Sequence, residues 1–166
     1  TPYYLLSFAL LLVFSACQPK VQLLTTGSDS PRGNYAKERL SNSLVSNGYT
    51  IVDENVAGKV TQLYLGCQND LNFQQMLQEQ GIAIEPVEGK EAFRIVADGD
   101  KIAVCGADES GLLYGCMELI DRLKTNGRLP KKIDYSDAPD MVLRGTCIGM
   151  QKMYLLPGRK VYEYPY

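Results

Sequence analysis

The chain has 166 residues, 45% hydrophobic and 22% charged, a balance that suits one medium folded domain and argues against disorder. Its formal charge is −2 and no run of Lys or Arg stands out, so the sequence carries no footprint for nucleic acid. It has no histidine, which removes Ser-His-Asp and Cys-His catalysis and any His-containing zinc site unless another chain supplies the ring.

Leu5 to Phe14 is an apolar run of signal-peptide length, too short to span a bilayer comfortably. Ser15-Ala16-Cys17 follows, then polar Gln18-Pro19-Lys20. This pattern resembles a bacterial lipobox, in which cleavage precedes a cysteine that carries the lipid; Phe14 stands where Leu is usual. The resemblance implies a leader over residues 1–17, lipidation at Cys17 and a protein held at the cell envelope, in the periplasm or at the outer-membrane surface. Two or more acyl chains would anchor it stably. Thr1 is not Met, and no Lys or Arg precedes the apolar run, so the leader is expected to lack its own start.

Residues 21–26 read as a strand and 27–33 as a loop. A helix is expected from about Tyr35 to Ser46, with Ala36, Leu40 and Leu44 on one face and Asn47-Gly48 as its stop. Strands follow at 49–52 and 61–67, then a short helix from about Asn72 to Gln80 carrying Phe73, Met76 and Leu77. The stretch from Glu91 to Leu123 is the best specified. Phe93, Ile95 and Ala97 alternate with Arg94, Val96 and Asp98; Asp98-Gly99-Asp100 is turn chemistry; Ile102, Val104 and Gly106 continue a second strand. Asp108 is an N-cap for a helix from about Glu109 to Lys124, closed by Asn126-Gly127, with Leu112, Cys116, Leu119, Ile120 and Leu123 in one stripe. The order is βαββαββα. Helices between strands together with one tight hairpin predict an α+β domain over residues 20–130, built on a mixed sheet.

Residues 131–140 read as a linker, and Met141 to Cys147 as the first strand of something new. Residues 141–166 are therefore expected to open a second domain that the chain does not complete. Of the five cysteines, Cys67 and Cys105 lie in strand patterns and Cys116 on the helix stripe, where reduced thiols behave as small hydrophobes. The pairing state of these three with Cys17 and Cys147 stays open.

Tests for chemistry return little. Asp98-Gly99-Asp100 fails as a calcium loop, since Ile102 and Ala103 stand where a ligand and a glycine are needed. Gly106 to Gly111 opens a helix, yet Asp108 and Glu109 would repel an anion there. The carboxylate pairs Asp108/Glu109, Asp137/Asp140 and Glu118/Asp121 read as cap, loop and solvated helix face. No catalytic constellation, metal set or cofactor motif emerges.

One resemblance is specific. Gly106-Ala107-Asp108 ending a strand, then Gly111-Leu112-Leu113-Tyr114-Gly115 opening a helix, resembles the α+β domain that precedes the barrel in family 20 β-N-acetylhexosaminidases and family 67 α-glucuronidases. Asp137-Ala138-Pro139 and Leu143-Arg144-Gly145 resemble that family's linker and the Arg-Gly of its first barrel strand. The resemblance covers roughly Val21 to Gly145. It implies a non-catalytic N-terminal domain of an exported glycoside hydrolase whose (β/α)8 barrel would begin near Met141. Its carbohydrate substrate would meet Arg144, a fork that can hold two hydroxyls. Thr146 to Met150 depart from the families' aspartate-containing continuation, which leaves the sugar open.

Two other readings stand beside it. Tyr154, Tyr162, Tyr164 and Tyr166 would suit a surface carbohydrate-binding lipoprotein with no catalytic domain. An α+β envelope protein of unrelated role fits the local physics equally.

Overall fold

The computed structural model describes residues 18–26, 30–53, 58–141 and 145. Cys17, Arg144, Cys147 and the four late tyrosines lie outside them, as does all but Met141 and Gly145 of the expected second domain.

Strand β1 (Lys20–Thr25) leads into helix α1 (Pro31–Ser46), then β2 (Thr50–Ile51) and β3 (Val60–Cys67). Helix α2 (Leu71–Glu79) precedes the hairpin of β4 (Phe93–Asp98) and β5 (Lys101–Gly106). Helix α3 (Glu109–Asn126) returns to β6 (Lys132–Asp137). The fold is α+β, with one mixed six-stranded sheet in the order β2-β1-β3-β5-β4-β6. Strands β1, β2, β3 and β5 are parallel, and β4 alone runs against its neighbours β5 and β6. It follows that β1, β3, β5 and β6 all finish at one end of the sheet, where the three helices begin. We call this the carboxyl end and its opposite the amino end.

Alternation along the strands decides which helix goes where. Leu63, Leu65, Ile95, Ile102 and Val104 face a core completed by Leu40 and Leu44 of α1 and by Cys116, Leu119 and Leu123 of α3. The intervening Tyr64, Ala103 and Cys105 face the other way, onto Phe73 and Leu77 of α2. Gly66 lies on that second face because a Cβ there would run into the Phe73 ring. The hairpin turns at Gly99, whose φ of 62° is open to glycine at little cost.

Two boundaries differ from the sequence reading by more than two residues. Helix α1 starts at Pro31 rather than Tyr35, because Ser30 caps it: the Ser30 hydroxyl accepts from the Gly33 amide at 3.0 Å, and proline is already shaped for the first helical turn. Residues 132–137, expected within a linker over 131–140, form edge strand β6 in register with β4, Ile133 opposite Ala97 and Tyr135 opposite Ile95. The α+β domain therefore reaches Asp137 rather than stopping near residue 130. Its element order is βαββαββαβ.

Candidate functional site

The Gly106 to Gly115 junction is where the sequence is most particular, and its glycines and Asp108 serve close packing and backbone hydrogen bonds. A Cβ on Gly106 would strike the Leu112 amide and the Asp108 carbonyl. Asp108 uses both carboxylate oxygens on backbone: Oδ1 accepts from the Gly111 amide at 2.9 Å and Oδ2 from the Glu91 amide at 3.0 Å. One side chain thus caps α3 and holds the segment entering β4. Glu91 has a φ of 62°, a region non-glycine residues rarely adopt, and this second bond helps keep it there. Gly111 lies against the Ala92 carbonyl, which itself accepts from the Ala107 amide at 2.8 Å. Gly115 lets α3 close onto Val104 and Phe93. With both oxygens committed to main chain, Asp108 is a clamp rather than an acid or base.

Two further charged clusters are also engaged in structure. Arg94 forks onto Asp134 through Nε at 2.8 Å and Nη2 at 2.9 Å, and reaches Glu85 through Nη1 at 3.2 Å. It ties the segment before β4 and the edge strand β6 to the second sheet face. The hydrogen bond from Arg94, with its charge, holds the Asp134 carboxyl below its usual 3.8. A depressed carboxylate stabilises the fold above its unfolded pKa and stops doing so as pH falls through the folded value. We therefore expect Asp134→Asn to be less stable than wild type at pH 7, with the gap closing in urea titrations run below pH 3.8. Across the sheet, Arg122 bonds Glu118 at 2.7 Å and lies 4.4 Å from the centre of the Tyr135 ring, joining α3 to β6.

Cys67, Cys105 and Cys116 are free thiols, the last two buried. Burial is the main cause that pushes Cys67 and Cys105 up to about 11 and Cys116 to about 12, from 9.0. A thiol raised in this way favours the folded state fully below the unfolded pKa and loses that contribution as pH rises toward the folded one. Stability should therefore decline from about pH 9 upward. Iodoacetamide at pH 8 should label these three at least about tenfold more slowly in native protein than in denaturant, as mass spectrometry would show. Among the described residues no group of three or more His, Cys, Asp or Glu is placed to hold a metal.

The two ends of the sheet differ in character. At the carboxyl end lie the caps Asp70 and Asp108, together with Glu109 and Asp137. Leu71, 77% exposed, opens α2 there; Tyr35 and Tyr114 stand exposed within the first two turns of α1 and α3, and exposed Met141 follows β6. At the amino end is a cavity of about 350 Å³ lined by Lys20, Lys59, Arg128 and Lys131, with Asp100 as its one carboxylate. Tyr49 forms part of its wall, and its hydroxyl accepts from the Leu129 amide at 3.0 Å. The sequence shows no basic run because these four cations are spread from residue 20 to residue 131; strand register brings them together. The sequence reading missed this cavity and the Arg94 fork alike. Its own site residues, Arg144 and Cys17, lie outside the described residues.

No protein-family model matches the chain, and no curated protein does. Among solved structures it is similar to a GH138 enzyme targeting pectin rhamnogalacturonan II, at 37% identity and a TM-score of 0.63 over 89% of this chain. CpGH84D aligns at 18% identity over 70% of the chain and CpGH84B at 23% over 74%, each at a TM-score of 0.48, too slight a likeness to argue from. The matched region is a small part of these proteins: 19% of the GH138 enzyme and of CpGH84D, and 20% of CpGH84B. The likeness that carries weight is thus to the GH138 enzyme, and the chain spans about a fifth of that enzyme's length.

Proposed function

We propose that this chain is the non-catalytic α+β domain of an exported, lipid-anchored glycoside hydrolase that degrades complex glycans at the cell envelope. The observation that carries the hydrolase part of this reading is the 37% identity to a pectin-targeting GH138 enzyme across 89% of the chain, against 19% of that enzyme. The motif-level likeness to families 20 and 67 is of the same general kind. Sequence identity to the GH138 enzyme makes pectic rhamnogalacturonan the first substrate class to try.

The geometry supports a scaffold role. The best-specified residues, Gly106, Asp108, Gly111 and Gly115, are spent on backbone contacts and close packing. The chain leaves β6 at the carboxyl end, the end that also carries exposed Leu71 and Tyr114, and that end is where the following residues of the same protein would pack. In this account catalysis belongs to a barrel beginning near Met141, since barrel active sites are assembled from loops after several strands. Arg144 holds substrate hydroxyls there, and Cys17 carries the lipid.

The longer protein with Arg144→Ala should lose about tenfold or more in kcat/KM on rhamnogalacturonan II oligosaccharides while keeping its thermal unfolding midpoint. Unchanged kinetics would remove Arg144 from the site. Mass spectrometry of the mature N-terminus tests the anchor: an unmodified cysteine at position 17 ends that part of the reading.

A further inference from the structure

We propose that the basic amino end of the sheet rests on anionic lipid headgroups, which orients the domain with its carboxyl end, and whatever follows residue 141, away from the membrane. The inference rests on the lipid anchor at Cys17 and adds a docking surface to it.

Tether length makes the first half of the case. Lys20 is the first residue of β1, three residues beyond Cys17. Three residues reach at most about 10 Å even when fully extended. A lipid on Cys17 would therefore hold the start of β1 close to the headgroups, and no long linker intervenes to let the domain tumble freely. The part of the fold nearest that point is the amino end, because β1, β3 and β5 all begin there in parallel register.

Charge makes the second half. The cavity beside the start of β1 carries Lys20, Lys59, Arg128 and Lys131 against the single carboxylate of Asp100, in a chain whose formal charge is −2. Lys59 binds that carboxylate at 3.0 Å yet keeps 74% of its side chain exposed, so it remains at the surface. The capping carboxylates Asp70 and Asp108 and the exposed apolar residues Leu71 and Tyr114 are gathered at the other end. Basic residues next to an acyl anchor add electrostatic attraction to anionic lipid, felt only within about 8 Å at physiological salt. A tether of at most about 10 Å lets Lys20, and the cations that share its cavity, come within that range.

The test is lysine acetylation, read by mass spectrometry, on the native lipidated protein in three settings: detergent, phosphatidylcholine vesicles, and phosphatidylcholine vesicles containing phosphatidylglycerol. Lys37, which donates to Thr25 at the carboxyl end of β1, and Lys90, just before β4, serve as internal controls at the far end. On the anionic vesicles Lys59 and Lys131 should be protected at least about fivefold relative to detergent, with less protection on phosphatidylcholine alone and none at the controls. A Lys59→Glu/Lys131→Glu variant should lose the protection of Lys20. Equal labelling of the two sets on anionic vesicles overturns the proposal. So does full protection by inorganic phosphate in detergent, which would make the cavity a small-anion site. If Cys17 proves unmodified, the anchor reading fails separately; selective protection of Lys59 and Lys131 on anionic vesicles would still support the basic face, and its absence would overturn it.

Discussion

Replacing Gly111 by alanine is expected to destabilise the domain by about 3 kcal/mol, the upper end of ordinary overpacking costs. The sign is what makes the test sharp. Inside a helix, Gly→Ala normally stabilises by about 1 kcal/mol, because alanine is the better helix former. Here the new methyl would meet the Ala92 carbonyl, a rigid backbone group already holding the Ala107 amide at 2.8 Å. Helix α3 must then lift from the hairpin or that bond must break. Gly115→Ala makes a graded comparison: its nearest contact is a Val104 methyl at 2.6 Å, which can give way more easily, so a cost of about 1 kcal/mol is expected. Urea unfolding of the two variants decides it. A stabilised Gly111→Ala would mean that α3 does not approach the entry to β4 so closely.

Asp108→Ala should cost about 2 kcal/mol, more than a typical single cap, since one carboxylate serves two amides, one of them 17 residues away in the chain. Asp108→Asn keeps one acceptor oxygen and should fall between the alanine variant and wild type. Hydrogen exchange separates this account from simple helix fraying. Both the Gly111 and the Glu91 amides should exchange faster in Asp108→Ala, because Glu91, at φ 62°, depends on the same side chain. Faster exchange at Gly111 alone would show that the Glu91 bond contributes nothing.

Most of the architecture was legible where local and tertiary preferences agree. Phe93, Ile95 and Ala97 alternate cleanly; Leu112, Cys116, Leu119 and Leu123 form one stripe; Asp108 and Gly127 mark the ends of α3. The structure follows these signals nearly to the residue. Strand β6 escaped for a physical reason. Only Ile133 and Tyr135 face inward, and an edge strand with Lys132, Asp134 and Asp137 exposed looks like a charged linker until β4 supplies its partner. The start of α1 escaped because Ser30-Pro31-Arg32-Gly33 is turn-like in composition, although serine and proline in that order also open helices.

The Arg94 fork and the basic cavity were less legible because they arise from register. Arg94 meets Glu85 from nine residues away and Asp134 from 40, and the fork exists only because β6 pairs with β4. Lys20, Lys59, Arg128 and Lys131 form one basic rim from separate elements and loops. Individually each is an ordinary surface cation. By contrast, the junction motif was easy to see, and its glycines and Asp108 are engaged in close packing and backbone hydrogen bonds.

The proposed scaffold role of this α+β chain is put to the test by assaying residues 18–166 beside the longer protein on rhamnogalacturonan II oligosaccharides and aryl glycosides. A scaffold domain should fold and show no turnover above background, with hydrolysis only by the longer protein. Turnover by the chain alone would contradict it.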